Sequence, residues 1–211
     1  MATKQVQLTG AGGQGLVLAG IILAEAAMRD GKNVAVAQSY GPEARLGASK
    51  AEVIISTEKI AYPQVTQPDI LLCLSQEAFE KYSAAADDHV LVLIDATQVQ
   101  APAGRNTLYK LPLVRAAAEQ VGNRLVANVV ALGALNALTD LVSWESLRAA
   151  VERRTPQKYR EQNVRALEVG RQLVQDPSPK PLPDTERGVP PSRAGKEARG
   201  LGQTHTQTKE V

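Results

Sequence analysis

The sequence predicts an α/β domain, a mostly parallel sheet flanked by helices, with a Pro-rich C-terminal tail. Three observations lead there. Short apolar segments alternate with helical ones over residues 1–175. Two of them, residues 69–74 and 90–96, are almost continuously apolar, as strands buried on both faces of a parallel sheet are. The composition then breaks near Asp176: six of the 12 prolines fall between Pro177 and Pro191, among Gly, Ser, Thr, Lys and Arg. Such a segment cannot bury enough apolar surface to fold alone. Residues 1–175 are therefore read as the folded domain. Residues 176–211 are read as a disordered tail or as an extended arm lying on a partner.

The elements follow in order. Residues 5–9 alternate like a short strand. A glycine loop comes next, then helical content over residues 16–29 with Gly31 as a stop. Residues 33–38 form a second strand, 39–49 a polar loop, and 51–56 a third strand. The buried strands 69–74 and 90–96 enclose a helix at 77–85, and a further helix is expected over 112–121. Residues 128–142 are apolar almost all round, so a helix there is buried on most sides, in a core or against another subunit. Ser143 has N-cap chemistry, with Ser146 at the third helical position. A final helix starts near Gln157.

Bulk properties narrow the function. Hydrophobic residues make up 44% and aromatics only 3%, so the core is built of Val, Leu, Ile and Ala. A net charge of +2 argues against nucleic acid or an anionic membrane as the main partner. No apolar run approaches the length of a membrane span, and residues 16–28 carry Glu25 inside their apolar stretch. A cytoplasmic protein is expected. The single cysteine, Cys73, sits in an apolar strand-like run and reads as a buried structural thiol. An iron–sulfur cluster needs about four thiolates, so cluster chemistry has to come from another chain. His89 precedes a strand and His205 lies in the tail, with no third ligand type near either.

The densest motif is Gly10-Ala11-Gly12-Gly13-Gln14-Gly15, between a strand and a helix. In that Rossmann-like context, Gly10 is expected to allow a tight turn and Gly12 to let a phosphate approach the backbone. Gly15 is expected to let the helix pack close to the sheet. The helix N-terminus adds free N–H groups and a positive dipole. An NAD site also wants an acid about 20 residues on, at the end of the second strand. That position falls at Gln38-Ser39, and Glu43 comes too late. A private NAD site is therefore disfavoured, while a loop that serves only as a tight turn stays open.

The second dense segment is Ser39-Tyr40-Gly41-Pro42-Glu43-Ala44-Arg45-Leu46-Gly47-Ala48-Ser49-Lys50. It follows the second strand, so it should emerge at the same sheet edge as the glycine loop. An aromatic, a carboxylate, a guanidinium and a hydroxyl on a braced backbone suit an anion or a partner surface. An ordinary surface loop anchored by Tyr40 is the alternative.

Taken together, these two loops and the run Ala51-Glu52-Val53-Ile54-Ile55-Ser56 resemble the gamma subunit of 2-oxoacid:acceptor oxidoreductases. Ala127-Asn128 with Ala131-Leu132-Gly133, and Asn163 with Ala166 and Gly170, extend the likeness over residues 4–175. The resemblance implies a complex that oxidatively decarboxylates a 2-oxoacid to an acyl-CoA, with ferredoxin or NAD as acceptor. It implies alpha and beta subunits holding thiamine diphosphate and Mg, and a ferredoxin-like subunit holding 4Fe-4S clusters. Coenzyme A is the co-substrate, and this chain alone binds no cofactor and is not itself catalytic. The residues expected near coenzyme A or a partner are Gly10, Gly12, Gly13, Gln14, Gly15, Tyr40, Gly41, Pro42, Glu43, Arg45 and Asn128. One departure stands out: the family pattern Arg-Gly-Gly is here Arg45-Leu46-Gly47, and Leu does not readily take positive φ as Gly does. Two other readings remain, a free-standing nucleotide-binding oxidoreductase module and a purely structural scaffold. Neither the 2-oxoacid nor the electron acceptor is legible in these residues.

Overall fold

The computed structural model describes residues 3–39, 48–83, 86–87, 89–102 and 107–175. Its strands are β1 (Lys4–Ala11), β2 (Asn33–Ser39), β3 (Ala48–Ser56), β4 (Ile70–Cys73), β5 (Leu91–Asp95) and β6 (Leu108–Leu111). Its α-helices are α1 (Leu16–Arg29), α2 (Gln76–Ser83), α3 (Leu113–Gln120), α4 (Ala127–Thr139), α5 (Trp144–Arg154) and α6 (Arg160–Gln175). The glycine loop, α1, α4 and the Ser143 cap fall where the sequence places them. Ser143 Oγ accepts from Ser146 N at 3.2 Å, which fixes the start of α5. Gly31 does end α1, as the Lys32 N–H turns back to the Ala27 carbonyl at 3.0 Å.

The strands form one six-stranded sheet in the order β2-β3-β1-β4-β5-β6. β1, β4, β5 and β6 pair parallel, while β3 pairs antiparallel with both β1 and β2. Five strands thus share a direction and β3 alone runs against them. The reason is chain length. Only eight residues, 40–47, join β2 to β3, and a parallel crossover needs a dozen or more. β6 carries no strong signal in the sequence: its four residues, Leu-Tyr-Lys-Leu, are half-exposed at the sheet edge.

The two faces of the sheet are covered unequally. Val6, Leu8, Val53, Ile55, Ile70, Leu72 and Leu93 point into a large core shared with α1, α3, α4, α5 and α6. Leu71, Cys73, Val92 and Ile94 point the other way, against Phe79 of α2 and Val99. β4 is therefore buried on both faces, which explains its unbroken apolar run.

α4 is the central helix of the large core. Every residue from Ala127 to Asn136 is buried, so its apolar character all round reflects real enclosure. Its closest neighbour is α6. A Cβ on Gly133 would lie 2.1 Å from the Leu167 carbonyl oxygen, and one on Gly170 would lie 1.9 Å from that of Val130. The two backbones are in direct contact, and any side chain at either glycine would force them apart.

Candidate functional site

β1 and β4 are parallel neighbours, yet the chain leaves them in opposite directions, from β1 toward β2 and from β4 toward β5. Their carboxyl ends mark the switch point at which open α/β sheets bind ligands. A cleft of about 200 Å³ opens there, lined by Gly12, Gly13, Gln14, Leu74, Val114, Arg124, Leu125 and Ala127.

The glycine loop forms one wall, and the structure redistributes the roles expected of its residues. Gly10 does not make the turn; it is the seventh residue of β1, paired with Ser49 of β3. Its missing Cβ leaves room for Gln14, whose Oε1 would lie 2.2 Å from such an atom. The turn falls at Gly13, with φ +85° and, among the described residues, nothing within 4 Å of the Cβ position. Gly15, at φ +72°, is the N-cap of α1, and its Cβ position is 2.6 Å from Asn128 Nδ2. It therefore packs on α4 and not on the sheet. Close helix–sheet packing belongs to Gly20, whose Cβ position lies 3.3 Å from Ala51 Cβ.

Two side chains hold the loop in shape. Gln14 Oε1 accepts from Ala11 N at 2.7 Å, and Gln14 Nε2 donates to the Leu74 carbonyl at 3.2 Å. Gln14 thereby ties the end of β1 to the end of β4. Asn128 is only 4% exposed and donates from Nδ2 to the Gly15 carbonyl at 3.0 Å. Gln14 spends both ends of its amide on the fold, and Asn128 spends its Nδ2 there. The first turn of α1 carries no side-chain cap and no acid, so its free N–H groups are left to solvent or ligand.

The opposite wall comes from elements the sequence reading did not single out. Asp95, fully buried at the end of β5, accepts from Thr97 N at 2.7 Å and Gln98 N at 3.1 Å, and also from the Thr97 hydroxyl. Its other oxygen accepts from Val114 N at 2.5 Å, which seats the start of α3 so that Val114 faces the cleft. An Asp at a strand end with Thr two residues on is an Asx-turn signal, so this anchor could have been read. Leu125 and Arg124 belong to a 3-10 turn, Arg124–Val126, capped by Asn123 Oδ1, which accepts from Leu125 N at 3.0 Å. Nothing in the local sequence marks Arg124.

The second predicted loop lies mostly outside the described residues, Tyr40, Gly41, Pro42, Glu43, Arg45 and Leu46 included. Its two ends are described. Ser39 pairs with Lys50, and Ala48 with Ala11, so it begins and ends at the carboxyl edge of β1. Gln38, where an NAD site would need a carboxylate, is exposed near the end of β2.

Cys73 is fully buried. Burial pushes its thiol up to about 12 against the opposing hydrogen bond from the Thr9 hydroxyl, so it is not a nucleophile. One such thiol does not fit an iron–sulfur cluster. Among the described residues, no group of three or more His, Cys, Asp or Glu side chains could hold a metal ion. No helix among them is long and apolar enough to cross a membrane.

The family model described as pyruvate ferredoxin/flavodoxin oxidoreductase matches residues 5–173. The chain belongs to that family. It is 45% identical over 177 residues to the 2-oxoglutarate synthase subunit KorC of Methanocaldococcus jannaschii, covering 82% of this chain and 95% of that one. The ketoisovalerate oxidoreductase subunit VorA of Methanothermobacter thermautotrophicus is 32% identical over 82% of this chain, which spans 36% of VorA. Among solved structures, the gamma subunit of a keto/oxoacid ferredoxin oxidoreductase from Geobacter sulfurreducens superposes with a TM-score of 0.74 at 44% identity. It covers 82% of this chain and 98% of that one. The chain is thus a gamma-type subunit of the 2-oxoacid:ferredoxin oxidoreductases, as the two loops implied, and it works with other subunits.

Proposed function

We propose that this subunit completes a thiamine-diphosphate-dependent complex that converts 2-oxoglutarate and coenzyme A to succinyl-CoA and CO2. The two electrons pass through 4Fe-4S clusters to ferredoxin. The observation that carries the reading is the 45% identity to a 2-oxoglutarate synthase subunit over nearly its full length, against 32% for the ketoisovalerate relative. Thiamine diphosphate, Mg and the clusters belong on the alpha, beta and ferredoxin-like subunits, since a single buried thiol cannot anchor a cluster. Those groups supply the decarboxylation and the electron transfer.

This chain's own part is the approach of coenzyme A. The switch-point cleft offers an open glycine wall at Gly12 and Gly13 and an apolar side at Leu74, Val114 and Leu125. That suits a coenzyme with both phosphate and aliphatic portions. Gln14 and Asn128 contribute by keeping the loop rigid, so that its backbone N–H groups are oriented before binding.

The complex purified through a tag on this chain should carry thiamine-binding and cluster-bearing subunits and reduce ferredoxin only with 2-oxoglutarate and coenzyme A together. The isolated chain should show no turnover, and sustained activity from it alone would overturn the reading. A preference for an aryl-glyoxylate would move the substrate assignment and leave the subunit role standing. Placing a bulky residue at Gly12 separates coenzyme A binding from a purely structural part. An intact complex with unchanged coenzyme A dependence would favour the scaffold.

A further inference from the structure

We infer that Arg124 is the cation of the switch-point cleft and pairs with a phosphate group of the coenzyme that enters it. The inference rests on the coenzyme A reading above and names a residue outside the glycine loop. Four observations support it.

Arg124 is one of the residues that line the cleft, and none of the others is charged. Among the described residues that line it, a ligand meets one formal positive charge and no carboxylate. Arg124 is also unengaged. Arg148 pairs with Glu152 at 3.1 Å and Arg115 with Glu119 at 3.7 Å. Arg153 and Arg154 both reach Glu25. Arg160 donates to the Glu152 carbonyl, and Arg171 lies over the Trp144 ring. Among the described residues no hydrogen bond or ion pair engages the Arg124 side chain. It is exposed, so it needs none for its own solvation.

Its backbone is nonetheless fixed. Asn123 caps the turn through its Oδ1 and donates from Nδ2 to Gln162 Oε1 at 3.1 Å, which pins the turn to α6. The turn runs directly into α4, whose Asn128 holds the Gly15 carbonyl. Arg124 is therefore mounted on the turn that leads into the helix bracing the opposite wall, which links the two walls. Finally, the chemistry suits the residue: a guanidinium stays charged at any working pH, and its planar fork matches two phosphate oxygens at once.

The test uses the assembled complex with coenzyme A as the varied substrate. Arg124→Gln should raise the KM for coenzyme A about tenfold to a hundredfold, while the KM for the 2-oxoacid serves as the reference. It should also flatten the rise of that KM with ionic strength, because one screened charge pair is gone. Arg124→Lys should recover part of the affinity and most of the salt dependence. Gly12→Asp, which sets a carboxylate on the glycine wall, tells the two levels apart. If Gly12→Asp raises the KM for coenzyme A and Arg124→Gln leaves both KM and salt dependence at wild-type values, the role of Arg124 is wrong and the coenzyme A reading stands. If both variants leave the KM at the wild-type value, the coenzyme A reading falls as well. A raised KM in Arg124→Gln with an undiminished salt dependence also overturns the charge pairing, since loss of shape alone would do that.

Discussion

The chain depends on glycine in two regions, and it does so for opposite reasons. In the glycine loop, Gly13 sits at φ +85°, and no described residue comes within 4 Å of where a side chain would start. What the site needs there is a backbone angle. Between α4 and α6, Gly133 and Gly170 lie in ordinary helices, and a Cβ on either would fall inside 2.2 Å of a carbonyl oxygen on the other helix. What that seam needs is absence of volume. Gly15 combines both demands, with φ +72° and Asn128 Nδ2 2.6 Å from its Cβ position. A positive φ costs an L-residue roughly 1–2 kcal/mol. Wedging two packed backbones apart costs more, because helices in a close-packed core cannot yield locally.

The largest effect is therefore expected far from the cleft. Gly170→Ala should lower the stability of the chain by about 3 kcal/mol in urea titration, by separating α6 from α4. A loss below about 1 kcal/mol would mean that the seam can open, and would break the contrast. Gly15→Ala comes next at about 2 kcal/mol, from strain and the Asn128 contact together. Its cost should shrink in an Asn128→Ala background, and a double-mutant cycle measures the shared part. Gly13→Ala should cost only about 1 kcal/mol, the conformational price alone. If Gly13→Ala proved as harmful as Gly170→Ala, the cost at Gly13 would not be one of backbone angle alone, and the contrast would break.

The smallest effect belongs to neither region. Asp30, after the last turn of α1, accepts from Ser143 N at 2.6 Å and from Ser143 Oγ at 2.7 Å. Burial pulls its pKa up, but hydrogen bonds from Ser146 and Ser143 and the charge of Lys32 outweigh that and hold the carboxyl below its usual 3.8. A depressed carboxyl stabilises the fold above the unfolded value and loses that contribution as pH falls through the folded one. Asp30→Asn should therefore lower the melting temperature at pH 7, and the gap from wild type should close as pH falls below about 3.8. A gap that stays constant as the pH falls below about 3.8 would assign the effect to shape and not to charge.

Much of this was legible in the sequence because it is encoded locally. The apolar runs of β4 and β5, the apolar surface of α4, the Ser143 cap and the Gly31 stop each follow from a few neighbouring residues. The strand–glycine–helix motif located the carboxyl edge for the same reason. The individual glycine roles were less legible. Assigning Gly15 to helix–sheet packing requires knowing which element lies against it, and that element, α4, begins more than a hundred residues later. Arg124 was invisible for a related reason: an exposed Arg in a short turn looks like any other until the switch point places it across from Gly12 and Gly13.

The sequence by itself determined the fold class, the family and the loop that forms one wall of the cleft. These rest on periodicity, composition and short motifs, which act over a turn of helix or a strand. Only the tertiary structure decided the direction of β3, the contact of Gly15 with Asn128, the backbone seam at Gly133 and Gly170, and the place of Arg124 in the cleft. Each of these is a meeting of segments far apart in the chain. Their free energy comes from burial and close packing once the sheet order is set, and no local pattern of residues carries that information.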